Sequence, residues 1–392
     1  MTNEQLAPPN SDRLIIYVLG SGYGESQVVL FPGSNRRCMV VDSCRKTRRG
    51  KNLTASLLRK LDIKKIDLLV LTHSDEDHIG GAPELIDEFD PELLWHSDFV
   101  GSMRGLVAKW LRAKPGNRRY LELQRTVERI DRLAECNRTD LVHWKTLPWE
   151  HQPSGCIVQA VAPPHSISAI RAFEVDNLVR RNESGEWIVP EEGQKLLNGP
   201  KSPGDHPNSF SIALSIQWLS HRILLCGDVE KPQWERVITK LSRGDGRRLP
   251  LLRELDVVKI AHHGSDNAFC EEAWQLHLDN KRDGEVFVPV TPFNQKAKLP
   301  DSPTLEKLRQ RYVQLAITAD VGGAFDRAKS CQWELTVPPA PQCIDGQCMV
   351  VVTLHCDGSR TMQATRDAGI FACPSRPSML NQLLSTADDF PE

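Results

Sequence analysis

Residues 71–81 read LTHSDEDHIGG. Two histidines and three acids fall between His73 and His78, directly after the apolar run KIDLLVL. A turn can aim positions i, i+2, i+4 and i+5 into one cavity, where a regular strand or helix would scatter them. His73, Asp75, Asp77 and His78 would then offer two imidazoles and two carboxylates, donors suited to divalent transition ions. The alternative is an acidic helix N-terminus with incidental histidines. Against it, metal-type residues end two further apolar runs: Asp228 in ILLCGDVE, and His262 with His263 in VVKIAHHGS. An aspartate just after a glycine at a strand end can bridge two ions, and a histidine before a glycine can complete a second ligand set. Glu76, between the ligands, is expected to point away. Without metal, Asp75, Asp77 and Asp228 are expected to crowd one cavity and raise one another's pKa values. Protons should displace the metal below roughly pH 6, near the ordinary histidine pKa.

These residues need strand ends to carry them. RLIIYVLGSGYGESQVVLF reads as a strand, a glycine turn and a strand, and RCMVVDSC as a third strand ending at Asp42. KIDLLVL is apolar without alternation, as in a strand buried on both faces. NLTASLLRKL sets Leu53, Leu57, Leu58 and Leu61 on one helical face, and residues 84–89, ELIDEF, read as a helix begun at Pro83. Residues 101–138 read as two helices. Strands return at SFSIALSIQW, HRILLCGDVE, ELDVVKIA, GEVFVPVTP and QLAITAD, with helices at KPQWERVITKL and SPTLEKLRQRY. Strand–helix alternation with strands meeting strands predicts an α/β fold, an αββα sandwich. The expected organisation is an N-terminal tail (1–12), one main α/β domain (13–330) and a C-terminal extension (331–392). A helical insertion and a polar lid loop (101–200) interrupt the domain.

Composition narrows the partners. A chain of 392 residues that is 40% hydrophobic suits one large domain or two. A net charge of -2 gives no global pull towards nucleic acid or membrane. No stretch is apolar enough for a transmembrane helix, and MTNEQLAPPNSDR lacks a signal-peptide core, so a cytoplasmic protein with no membrane partner is expected. Eleven irregularly spaced cysteines suit reduced thiols. Cys331, Cys343, Cys348, Cys356 and Cys373 crowd the C-terminal region, but no CxxC pair supports a zinc knuckle. Residues 101–138 hold ten Lys or Arg against four Asp or Glu, a local balance of +6. This is either a solvated helical face or a contact for a polyanion, with Arg118 and Arg119 the nucleic-acid-binding candidates. The insertion and the C-terminal extension also leave room for a protein partner.

The motif order resembles the metallo-β-lactamase superfamily, whose signature is His-x-His-x-Asp-His. Within it, the chain most resembles the hydrolase domain of the ComEC family of competence proteins, which likewise has aspartate in place of the second histidine. The likeness runs through VLGSGYGESQVVLFPGSNRRCMVVDSC, LTHSDEDHIGG, NSFSIAL, ILLCGDVE and VVKIAHHGS, over about residues 13–330 apart from 101–200. The channel part of ComEC is absent, so the resemblance implies no transport.

It does imply a ligand set. One ion would be held by His73, Asp75 and Asp228, the other by Asp77, His78, Asp228 and His263, with Asp42 beneath the site orienting a ligand histidine. Many superfamily members have a histidine where DHPNSF lies. Here Asn208 aligns with it and His206 is two residues away, so one of these substitutes or the first site is weak. His263 directly precedes glycine and is the favoured ligand; His262 faces the substrate or the core. Carboxylate in place of imidazole makes the site harder, which brings Mn2+ in beside Zn2+. Two ions about 3.5–4 Å apart could share a hydroxide and stabilise a phosphorane-like transition state. Asp77, His78, Asp228 and His262 would form the catalytic set, with His262 offsetting charge on the departing alkoxide. The expected function is a metal-dependent phosphodiesterase or nuclease acting on nucleic acid, DNA before RNA. Alternatives are a cyclic or small-nucleotide phosphodiesterase, a hydrolase of esters, thioesters or lactams, and a metal-binding interaction or effector subunit of a larger assembly.

Overall fold

Strand β1 (Arg13–Gly20) shows how the layers form. Successive strand side chains point to opposite faces. Ile15, Tyr17 and Leu19 therefore enter a core under the helices, while Leu14, Ile16 and Val18 enter a core between two sheets. Strand β4 (Leu68–Leu71) divides the same way, Leu69 and Leu71 outward and Leu68 and Val70 inward. A strand apolar on both faces must be covered on both, and the result is four layers. The computed structural model describes residues 12–33, 37–44, 52–97, 118–163, 180–184, 187–188, 191, 207–243, 249–278, 286–336, 348–365 and 367–374.

The first sheet adds β2 (Glu25–Leu30), β3 (Cys38–Val41), β5 (Leu93–His96), β6 (Thr139–Leu141), β17 (Met349–His355) and β18 (Arg360–Ala364). Its order is β18-β17-β1-β2-β3-β4-β5-β6, antiparallel as far as β3 and parallel from there. Helices α1 (Leu53–Lys60), α3 (Ala82–Phe89) and α4 (Arg118–Glu135) cover its outer face with Leu57, Leu58, Leu85, Phe89, Val127 and Ile130. Between β4 and α3 lies the single-turn α2 (Glu76–Ile79).

The second layer pairs β13-β12-β11-β8-β7, formed by β7 (Trp149–His151), β8 (Cys156–Ala162), β11 (Ala213–Trp218), β12 (His221–Leu225) and β13 (Val257–Lys259). A four-stranded sheet, β14-β15-β19-β16, continues it through β14 (Pro289–Val290), β15 (Gln314–Ile317), β16 (Glu334–Thr336) and β19 (Gly369–Ala372). The join is made by Val258 N donating to Phe287 O (2.9 Å) and Ile260 N to Pro289 O (3.1 Å). Helices α5 (Lys231–Arg243), α6 (Glu271–Leu278), α7 (Ser302–Arg309) and α8 (Ala324–Ser330) cover its far side with Trp234, Val237, Trp274, Leu305 and Ala328. A two-stranded ribbon, β9 (Arg180–Arg181) with β10 (Trp187–Ile188), stands apart. The fold is thus the expected αββα sandwich.

Local differences from the sequence reading have local causes. In SFSIALSIQW strand begins only at Ala213, after the 3-10 turn Pro207–Phe210, and among the described residues of GEVFVPVTP only Pro289–Val290 is strand. Beyond residue 330, β17 pairs along β1 from Arg13↔His355 to Leu19↔Met349, and β19 lies between β15 and β16. Residues 349–372 therefore complete both sheets. Residues 101–117 and His206, and most of the expected lid loop, lie outside the described residues. No helix among the described residues is long and apolar enough to cross a membrane.

Candidate metal centre

Four chain segments reach the same end of the sandwich. After β4, Thr72 and His73 lead into Asp75, which caps α2, and α2 carries Asp77 and His78. After β12, Gly227 turns the chain at φ +52° and presents Asp228. A Cβ on Gly227 would stand 2.6 Å from Ile212 O and 2.7 Å from Ser211 Oγ, so this turn requires glycine. After β13, His262 and His263 both take left-handed backbone (φ +48° and +53°), which turns two consecutive imidazoles into the site. The 3-10 turn before β11 contributes Asn208. Cross-links fix the ends: Ile212 N donates to Thr72 O (3.1 Å), His262 N to Gly227 O (3.0 Å) and Asp228 N to Ser211 Oγ (2.8 Å).

Asp228 is the centre. Its Oδ1 lies 3.4 Å from His78 Nε2, and its Oδ2 lies 3.8 Å from His73 Nε2, 3.8 Å from His262 Nε2 and 3.9 Å from His263 Nε2. Asp77 Oδ2 is 3.0 Å from His263 Nε2 and 3.7 Å from His78 Nε2, and Asp75 Oδ2 is 3.6 Å from His73 Nε2. Six of the residues singled out in the sequence, His73, Asp75, Asp77, His78, Asp228 and His263, are thus within one cluster, with His262 and Asn208 on its rim.

The outward ring nitrogens are held by the protein. Asp42, fully buried at φ +58°, accepts from His78 Nδ1 (2.7 Å), Thr72 N (2.8 Å) and Thr72 Oγ1 (2.8 Å). Thr72 Oγ1 lies 3.0 Å from His73 Nδ1. Because its proton goes to Asp42, the hydroxyl accepts from His73. One carboxylate therefore directs Nε2 of both His73 and His78 at Asp228, where each offers a lone pair once its ring is neutral. His263 Nδ1 faces Thr291 O (3.1 Å) and Glu25 Oε2 (3.3 Å). On the rim, Glu230 Oε1 accepts from Asn208 Nδ2 (3.1 Å) and Asn267 Nδ2 (3.2 Å), and Asn267 Oδ1 is 3.0 Å from His262 Nδ1.

Four buried atoms here make no hydrogen bond: His73 Nε2, His78 Nε2, Asp228 Oδ1 and Asn208 Oδ1. Orphaned buried polar atoms are uncommon, and two imidazole nitrogens beside an unsatisfied carboxylate oxygen, with an amide oxygen on the rim, suit a cation. Donor atoms of Glu25, His78, Asp228 and His263 all lie within 4.8 Å of one another, the one such group found among the described residues. No cysteine belongs to it.

The charges run opposite to the expectation of mutually repelling acids. Burial pushes the Asp228 carboxyl up, but the imidazoles of His78, His263 and His262 outweigh it and hold Asp228 well below the usual range. Asp77 is lowered too: burial raises it, and His78 and His263 more than reverse this. Burial would lower His78, yet Asp228, Asp42 and Asp77 hold it well above 6.5; His263 is raised against burial by Asp228, Asp77 and Glu25. A raised imidazole adds stability that is full below the unfolded pKa and is lost as pH rises through the folded value. A lowered carboxylate adds stability that is full above its unfolded pKa and is lost as pH falls through the folded one. In the metal-free protein the cluster is therefore most stabilising between about pH 4 and 6.5.

Sequence reasoning missed Glu25, Lys259, Thr72, Glu230 and Asn267. A lysine in the otherwise apolar VVKIA was a signal, since Lys259 is completely buried. Some of the basic residues of 101–138 are met by acids: Arg129 pairs with Asp87, Arg132 lies 3.5 Å from Asp87, and Arg138 lies 2.7 Å from Asp90. The side chains of Arg118 and Arg119 lie outside the described residues.

The family model of the Metallo-beta-lactamase superfamily matches residues 22–269. Among solved structures, the chain is similar to ST1585, an archaeal metallo-beta-lactamase superfamily protein from Sulfolobus tokodaii (12% identity, 62% of this chain and 77% of that one, TM-score 0.31). It is similar to Igni18, a metallo hydrolase from Ignicoccus hospitalis (10%, 70% and 82%, TM-score 0.31). It is also similar to Zn2+-bound PqqB from Methylobacterium extorquens (11%, 62% and 71%, TM-score 0.29). These scores carry no argument about activity. No curated protein gives a significant match.

Proposed function

The chain belongs to the metallo-beta-lactamase superfamily, and from its donor set we propose a metal-dependent hydrolase of phosphodiesters, with nucleic acid the first substrate class and DNA before RNA. The observation that carries the metal is Asp228, with four imidazole Nε2 atoms within 4 Å of its carboxylate. His73, Asp75 and Asp228 would hold one divalent ion, with Asn208 Oδ1, buried and without a hydrogen bond, a further candidate donor, and Asp77, His78, Asp228 and His263 the other. Such ions polarise a phosphoryl oxygen and lower the pKa of water. The residues supply the rest. Asp42 fixes the rings of His73 and His78 in advance, so no reorganisation is needed during reaction. His262 is the least buried imidazole of the cluster, its side chain 21% exposed. Its Nδ1 is tied to Asn267, and its Nε2, 3.4 Å from Asn208 Nδ2 and 3.8 Å from Asp228 Oδ2, is the atom turned to the site that would pass a proton to a departing alkoxide. Two of the expected imidazole positions hold Asp75 and Asn208. These oxygen donors favour a harder ion, Mn2+ beside Zn2+, and the ComEC-like form of the motif supports a nucleic-acid phosphodiester. Basic residues of 101–138 would add the contact to phosphates.

The test is an incubation series with Mn2+, Zn2+ and Mg2+ against bis-p-nitrophenyl phosphate, single-stranded DNA, duplex DNA, RNA, cyclic dinucleotides, a thioester and a lactam, with Asp228→Ala as control. Metal-dependent cleavage of DNA, lost in Asp228→Ala, is expected. Turnover of the thioester or lactam with every phosphodiester intact would overturn the substrate class. Two bound ions per chain with no turnover of any substrate would favour an interaction module instead.

A further inference from the structure

Against Nδ1 of His263 lies a buried ion pair. Glu25 opens β2 and Lys259 closes β13; both side chains are fully buried, and Lys259 Nζ donates to Glu25 Oε1. Thr291 Oγ1 donates to the other oxygen, Oε2, which lies 3.3 Å from His263 Nδ1. His263 Nδ1 is also 3.1 Å from Thr291 O, and Gln27 Nε2 donates to Glu25 Oε1 at 3.4 Å. A buried pair of this kind is weak evidence of stability, since desolvation of two charges can exceed their attraction. Its placement has a different consequence. Glu25 contacts Nδ1, whereas Nε2 of the same ring faces Asp77 and Asp228. Asp42 accepts from His78 Nδ1 at 2.7 Å, whereas Glu25 stands farther from its ring and has a lysine on it.

We propose that Glu25 and Lys259 are a positioning pair for His263. Thr291 O accepts the Nδ1 proton, and the Glu25 carboxylate, 3.3 Å from the same nitrogen, adds the charge that keeps the proton there and so presents the Nε2 lone pair to the site. Lys259 and Thr291 hold the Glu25 carboxylate in that place and keep it from turning towards His78 and Asp228, whose donor atoms lie within 4.8 Å of its own. The inference rests on the metal-site reading above.

The test reads metal affinity in two steps, by chelator competition, with the visible absorption of the Co2+-loaded protein as the signature of ligand geometry. Reference variants His73→Ala and His263→Ala identify which step belongs to which half of the site. Glu25→Gln alone would strand a buried ammonium, so the main variant is Glu25→Gln with Lys259→Met, which removes both charges together. Glu25→Asp, which keeps the charge and withdraws the carboxylate by one methylene, serves if the double variant does not fold.

Loss of an outer partner of a ligand histidine costs roughly 10–100-fold in metal affinity. That loss is expected in the step weakened by His263→Ala, with the Co2+ spectrum altered, the step weakened by His73→Ala unchanged and the metal-free melting temperature retained. Glu25→Asp should weaken the same step by less. Wild-type affinities and spectrum in either folded variant overturn the proposal, as does an equal loss in both steps, which is what a general packing defect would give. If His263→Ala itself leaves both steps at wild-type strength, the metal-site reading fails, whatever Glu25 does.

Discussion

Asp42→Asn separates the geometry of the site from its charge. The substitution keeps volume and shape in a fully buried position. Asp42 Oδ1 accepts from Thr72 N at 2.8 Å and Oδ2 from His78 Nδ1 at 2.7 Å. The backbone donor has no alternative, so an asparagine must put its oxygen there and its NH2 against His78. Two donors then face each other, and the imidazole relieves this by moving its proton to Nε2. That nitrogen, now a donor, points at Asp228 and cannot ligate. His73 should be spared, because Thr72 Oγ1 also lies 3.1 Å from Asp42 Oδ1 and can still give its proton there. The loss of a charge-assisted buried bond costs about 1–3 kcal/mol of stability, and metal affinity should fall about 10–100-fold in one step only. An ion at 100 times its Kd adds about 2.7 kcal/mol to stability, whereas one bound 100-fold more weakly adds about 0.4 kcal/mol at the same concentration. Melting with chelator and with Mn2+, alongside chelator competition, reads both quantities. Two metal steps at wild-type strength in folded Asp42→Asn would refute the tautomer argument.

Further outcomes follow from the same geometry. Asp77→Ala and His78→Ala should each abolish hydrolysis while the chain stays folded; full activity in either, with metal content measured, removes that residue from the site. Gly227→Ala must force a Cβ to within 2.6 Å of Ile212 O at φ +52°, so loss of about 1–3 kcal/mol and weaker metal binding are expected; an unchanged melting temperature counts against the turn as drawn. Raised His78 and His263 must lose protons to ligate, so the melting difference between Mn2+ and chelator should grow from pH 6 to 8, while metal-free stability declines over that range. A difference that shrinks as pH rises would contradict these protonation states.

What could be read from the sequence was what is local or ends a strand. HSDEDH lies within one turn, so its residue types alone bring four donors together. Asp228 and His263 were legible because each stands beside a glycine just past an apolar run, which marks the end of a buried strand. Residue types favoured His263 over His262 only through the glycine that follows it: both adopt left-handed backbone, and burial and partners are what separate them in the fold. Glu25 and Lys259 are 234 residues apart, and no periodicity signals a pairing across two sheets. The pairing of β17 with β1 has the same character, because a strand's neighbours depend on the order of the whole sheet, and MVVVTLH carries no mark of its partner.

The crowding of acids at HSDEDH has a further resolution that residue types could not supply. Read alone, three carboxylates in one cavity should repel and raise one another's pKa values. In the folded chain Asp77 and Asp228 are lowered instead, since each faces imidazoles that can carry a proton, and Glu25 is answered by Lys259. The protons on His78 and His263 occupy the electrostatic position that divalent ions take when bound. Loading the site with metal would therefore exchange protons for metal. This moves the competition upward in pH from the value near 6 expected of ordinary histidines, because the carboxylates that attract a cation also hold the protons. Affinity for metal and resistance to it at low pH have one cause, the Asp228 carboxylate among four imidazoles.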